Sequence, residues 1–177
     1  YDGEGFDVDG GYVAIQLDLY ENDVTILLKG ENVINITGEY TSGIVAFGDY
    51  NLNIEGDGSL EINSTMHGIG FEGEFGTITI NGPEIVINSE GSMTTGIWAP
   101  NFVMKAGSLK IDSITLGIIV ISESSKIDIN GGSIEISVSV AGNTIAYMDD
   151  TMTFVPTLAN LEGYELTYKV IGGTKSD

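Results

Sequence analysis

The sequence predicts an all-β fold: a right-handed parallel β-helix of about five coils, each of 24–26 residues and three short strands, with capped ends. Three observations predict it. One phrase recurs, as ILLKGENVINI at Ile26–Ile36, LNIEGDGSLEI at Leu52–Ile62, ITINGPEIVI at Ile78–Ile87, FVMKAGSLKI at Phe102–Ile111 and KIDINGGSIEI at Lys126–Ile136. Its pivots Gly30, Gly56, Gly82, Ala106 and Gly131 are 24 to 26 residues apart, a period that marks a solenoid. Each phrase holds two alternating apolar runs about a turn, and a third apolar piece follows, usually opened by Gly-Ile. Stacked parallel strands at about 4.8 Å per coil then give a triangular section. The hexapeptide rhythm of left-handed β-helices is missing, and parallel crossovers favour the right hand.

Residues 1–11 read as a Gly/Asp-rich lead-in without periodicity. Tyr12 to Leu19 alternates cleanly and reads as the last side of an incomplete coil, so 1–23 forms an N-terminal cap. The repeats occupy 24–150. Their first strands are expected to point Ile26, Leu52, Ile78, Phe102 and Ile127 inward, followed by Leu28, Ile54, Ile80, Met104 and Ile129. The second strands contribute Ile34, Leu60, Ile85, Leu109 and Ile134, then Ile36, Ile62, Ile87, Ile111 and Ile136. At roughly 1.5–3 kcal/mol per buried side chain these rows dominate folding. Thr37, Asn63, Asn88, Asp112 and Ser137 come next and suit corners, where their side chains bond nearby backbone. Outside, Lys29 is expected beside Glu55 and Lys110 beside Glu135.

The third side places Ile44, Ile69, Ile97 and Ile118 inside and Val45, Gly70, Trp98, Ile119 and Ala146 outside; its fifth piece, Thr144–Tyr147, matches more loosely. After Asp150 the pattern dissolves. Met152 and Phe154 fall where a sixth first strand starts, and Pro156 breaks it. Residues 151–171 therefore read as a C-terminal cap that prevents edge-to-edge growth, and 172–177 as a tail. At 177 residues and 42% hydrophobic content, the whole is expected to be one domain.

The charge balance narrows the partners. There are 26 acidic residues against six lysines and no arginine, for a net charge of −20. Nucleic acid and anionic membrane surfaces both need a basic face and are disfavoured. Without cysteine there are no disulfides or thiolate metal sites. No apolar run reaches the roughly 20 residues that span a bilayer. Beginning at Tyr1 without Met or leader, the chain reads as a mature or trimmed product.

For catalysis the residues offer little. A β-helical lyase needs a strong base, commonly Arg or Lys, beside a bound uronate, and the lysines here fit structural rows. Hydrolysis needs two carboxylates about 5–10 Å apart across a cleft, a condition that some pair among 26 acids always meets. Asp149-Asp150 resembles the Asp pair of polygalacturonases, whose accompanying Asn-Thr-Asp, Gly-His-Gly and Arg-Ile-Lys motifs are absent from the sequence. His67, the single histidine, has no serine elbow or cysteine to serve. Calcium is a candidate cofactor: Asp7 and Asp9, two residues apart beside Gly10, form a fragment of the loop chemistry that hard cations use, without the full spacing. Trp98 is the candidate ligand-binding residue, because an outward indole matches the C–H face of a pyranose.

The repeats from Val24 to Ile34 and Leu52 to Leu60, with Ile127 to Ile136, resemble secreted bacterial β-helix proteins labelled carbohydrate-binding-domain-containing, found on anaerobes and gut bacteria. The likeness covers roughly residues 12–147 and lies in core and turn positions, so it carries no functional residue across. It implies an extracellular or cell-surface location, a right-handed β-helix and, in some members, calcium-assisted binding of acidic polysaccharide. The expected function is thus a non-enzymatic surface module that binds carbohydrate or acts as adhesin or spacer, with self-association through a side or an end of the helix. The alternative is a polysaccharide lyase or glycoside hydrolase-like enzyme, or an inactive relative of one.

Overall fold

The computed structural model describes residues 2–3, 6–8, 11–92, 94–121, 124–138, 145–148, 154–156, 160–161 and 167–170. These contain strands and no helix. Three strands precede the repeats: β1 (Asp2–Gly3), β2 (Phe6–Val8) and β3 (Gly11–Leu19). The first coil holds β4 (Val24–Leu28), β5 (Glu31–Ile36) and β6 (Thr41–Gly48), and the second β7 (Leu52–Gly56), β8 (Ser59–Ser64) and β9 (His67–Glu72). In the third and fourth coils the first two sides run together as β10 (Ile78–Ser89) and β12 (Phe102–Ser113), followed by β11 (Thr95–Ala99) and β13 (Leu116–Val120) respectively. The fifth has β14 (Ile127–Ile129), β15 (Ser133–Val138) and β16 (Ile145–Met148); β17 (Phe154–Pro156), β18 (Asn160–Leu161) and β19 (Thr167–Val170) close the series.

Coil stacks on coil through parallel pairing, giving a β-solenoid of about five turns. The first and second sides share one sheet, and the third side forms an eight-stranded sheet from β2 to β17. The core is the interior of the stack, where Ile54, Ile62, Ile78, Ile80, Ile85, Ile87, Phe102 and Ile111 are wholly buried. On the third side Ile44, Ile69, Ile97 and Ile118 pair in register and are buried. The Gly-Ile opening has a steric cause: a Cβ on Gly43, Gly68 or Gly96 would strike the side chain of Ile62, Ile87 or Ile111. Glycine lets the chain enter the third side pressed against the second.

The first coil departs from the expected rows by two residues. Val24 pairs with Leu52 and Ile26 with Ile54, while Asn32 pairs with Leu60 and Ile34 with Ile62. A shift of two preserves which face is inward, so the apolar pattern alone fits either register. It also brings Leu27, not Lys29, opposite Glu55; Lys110 does pair with Glu135. Asn32, at the head of an inward row, donates from its amide to the Ser59 carbonyl at 3.0 Å.

The residue following the second strand's inward pair also differs from expectation. Asn35, not Thr37, stacks with Asn63, Asn88, Asp112 and Ser137. These positions lie within strands, and their side chains bond one another: Asn63 Nδ2 donates to Asn35 Oδ1 at 2.6 Å and Asn88 Nδ2 to Asn63 Oδ1 at 2.8 Å. Corner bonding falls instead to Asp23, which accepts from the Asn51 backbone N–H at 2.8 Å, and to Asn101, whose Oδ1 accepts from Lys126 N–H at 2.9 Å. In the fourth and fifth coils the left-handed glycines are Gly107 and Gly132, one residue beyond Ala106 and Gly131. Alanine at 106 is tolerated because the strained conformation has moved to its neighbour.

Both ends are more regular than the sequence suggests. β1 pairs parallel with β5, and β2 pairs antiparallel with β3. β3 adds to β6 in parallel, as the third side of an earlier turn. At the other end Phe154 does not begin a sixth first strand; β17 pairs antiparallel with β16, while β18 and β19 continue the first and second sides.

Candidate functional site: an aromatic groove on the third side

Along the outward row of the third side, Gln16, Val45, Gly70, Trp98, Ile119 and Ala146 follow one another in register. Trp98 therefore has the expected neighbours and is half-buried. The row is not uniformly open. Ile119 and Ala146 are fully buried and form, with Leu116, a small apolar cluster against which Trp98 packs. On the other flank, Gly70 leaves space that His67 uses. The His67 and Trp98 rings lie 6.2 Å apart, tilted by 37°.

Beyond His67 the surface opens into a groove of about 440 Å³. Tyr12, Tyr40, Val45, Phe47, His67 and Glu72 are among the residues that line it. The two tyrosines are 39% and 58% exposed, although each carries a large apolar ring. Sequence proximity does not bring these groups together; the stacking of three coils does. The Tyr12 N–H donates to the Tyr40 carbonyl at 3.3 Å. Thr41 and Thr65 exchange bonds across the coils, each hydroxyl oxygen accepting the other's backbone N–H, at 2.9 and 3.0 Å. Ser64 Oγ donates to the His67 carbonyl at 3.0 Å and so tightens the turn that delivers His67.

Tyr40 is the one non-glycine with a positive φ, 57°, among the described residues. An aromatic side chain in that region is strained, and such strain clusters at functional positions.

His67 is partly accessible as a residue, but its Nδ1 is shielded and has no hydrogen-bond partner. Desolvation lowers its pKa to about 4, so the ring is neutral at physiological pH. A proton on Nδ1 would leave a buried donor unsatisfied, which places it on Nε2. Glu72 is exposed at the surface and sits opposite Phe47 in the register; partial desolvation holds its carboxyl above the usual range.

Of the two calcium candidates, Asp7 lies on β2 opposite Tyr12, and Asp9 is outside the described residues, as is the Asp149-Asp150 pair. Among the described residues no three His, Asp or Glu side chains gather as a metal site. Tyr12 and Tyr40 carry no sequence signal of a site, and Glu72, in Glu72-Gly73-Glu74, reads only as an incomplete calcium fragment, because no local spacing links the three. The chain matches no protein-family model, no curated protein and no solved structure with which it was compared.

Proposed function

We propose that this protein is a non-enzymatic extracellular or cell-surface module that binds carbohydrate along the outer face of its third side. The observation that carries this reading is the groove lined by Tyr12, Tyr40, Phe47 and His67, whose ring contacts that of Trp98. Aromatic faces attract the C–H face of a sugar ring, and tyrosine hydroxyls, Glu72 and His67 supply the polar partners that orient one. The strained Tyr40 supports the same reading, since a glycine would suit that turn better and contribute nothing to a binding wall. Glu72 is the sole carboxylate lining the groove among the described residues, whereas glycoside hydrolysis uses two. The likeness of the repeats to carbohydrate-binding surface proteins points the same way.

A glycan array probed with the wild-type protein and with Tyr12→Ala and Tyr40→Ala tests the proposal. Binding by the wild type that both substitutions abolish is the expected result. Binding unaffected by either variant, or none at all, would leave the rod as a spacer.

A further inference from the structure

The charges around the groove specify more than sugar in general. Every lysine that the structure describes lies on the first and second sides: Lys29 just after β4, Lys105 and Lys110 in β12, Lys126 before β14 and Lys169 in β19. None lies on the third side, and the sequence has no arginine. Among the described residues the ionisable groups of the groove are the tyrosines, Glu72 and His67, and Asp7 adds an acidic register position beside Tyr12. The imidazole adds no positive charge at neutral pH, because desolvation favours its uncharged form.

A uronate or sulfated sugar entering here would meet like charge and find no counter-ion among the described residues. A neutral sugar meets complementary groups throughout. Its hydroxyls can donate to the Glu72 carboxylate in charge-assisted bonds. They can accept from His67 Nε2, since the shielded Nδ1 leaves Nε2 as the nitrogen that a ligand can reach. Its C–H faces can rest on Tyr12 and Tyr40.

We infer that the groove selects neutral polysaccharide, with His67 Nε2–H as donor and Glu72 as acceptor, and that it does so without a metal ion. This inference rests on the carbohydrate-binding reading above and parts from the acidic, calcium-assisted ligands that the resemblance implies.

The test is a titration followed by calorimetry and by the emission of Trp98, the single tryptophan, whose ring neighbours His67. Neutral gluco-, manno- and xylo-oligosaccharides are compared with oligogalacturonate and oligoguluronate, each in EDTA and in millimolar calcium. A neutral series is expected to saturate equally in both media, with uronates at least about tenfold weaker. Glu72→Lys, at an exposed position that tolerates change, should weaken the neutral ligand several-fold and admit uronates. Uronates that bind as tightly as neutral sugars, or any binding that needs calcium, would overturn the inference while leaving carbohydrate binding intact. Silence from both classes in both media would overturn the carbohydrate reading and this inference with it.

Discussion

Gly68 presses its bare Cα against the side chain of Ile87 one coil on, with no space for a methyl group between them. Two residues later, a Cβ on Gly70 would meet Val45 and His67 at ordinary contact distances of 3.6 and 3.9 Å. The two glycines therefore answer differently to the same substitution. Gly68→Ala should destabilise the fold by roughly 1–3 kcal/mol through overpacking, whereas Gly70→Ala should stay within about 0.5 kcal/mol of wild type. Paired urea melts measure both.

Burial sets the next contrast. Ile85→Ala or Ile111→Ala empties a fully buried position between two coils and should cost roughly 2–5 kcal/mol. Glu61→Ala, on the outer face, removes only a surface bond from the Asn63 amide at 3.0 Å and should be close to neutral. Chemical denaturation monitored by far-UV circular dichroism separates the two classes.

Asn63 is the middle rung of its ladder, donating to Asn35 and accepting from Asn88. Asn63→Ala removes both ladder bonds, with the surface bond to Glu61, and should cost about 1–3 kcal/mol, at about 0.5–1.5 kcal/mol for each net ladder bond. If the melting temperature does not move, the ladder contributes register without stability.

Tyr40 should show a conflict between stability and binding. Tyr40→Gly relieves a positive-φ position worth roughly 1–2 kcal/mol while removing a wall of the groove. Part of that gain is offset by the greater freedom of glycine in the unfolded chain. The expected outcome is unchanged or higher thermal stability together with lost glycan binding. Calorimetry and binding assays on one preparation check both.

The buried imidazole makes a prediction about acid. The pKa of His67 is about 4 in the folded protein against an ordinary 6.5, so between these values the unfolded chain binds the extra proton. Stability attributable to His67 is then complete above about pH 6.5, falls as pH drops, and levels off below about pH 4. The loss is on the order of 3 kcal/mol. Glu72, with its raised pKa, pulls the opposite way as it protonates, so the quantity to measure is the difference between wild type and His67→Phe. A difference that is flat from pH 4 to 6.5 would refute the assignment. Trp98 offers a direct readout, since its emission should respond to imidazole protonation near pH 4, not near 6.5.

The repeat was legible because apolar parity and glycine spacing recur; the third-side row from Val45 to Ala146 follows directly from the repeated Gly-Ile. Parity is also why the first coil was misread. Ile26 and Leu28 satisfy the inward pattern as well as Val24 and Ile26 do, and only the backbone pairing distinguishes them. The neighbours of Trp98 were readable on the same basis. The groove was not, because Tyr12 comes from β3, Tyr40 from a turn and Glu72 from the end of β9. His67 read as an isolated histidine until the turn held by Ser64 set it against Trp98.

Parallel pairing of every coil with the next also determines how the molecule responds to force. The ladder hydrogen bonds point along the stack, and the outermost strands, β2 at one end of the third-side sheet and β17 at the other, mark its opposite poles. Tension applied to the chain at those poles loads one ladder at a time, so coils should peel away in sequence instead of rupturing together. With neighbouring ladder positions 25 residues apart, as for Asn63 and Asn88, each event frees roughly 80–90 Å of extended chain. The rod is in effect a spooled tether: it can lengthen in steps under load while the coils still wound keep their shape.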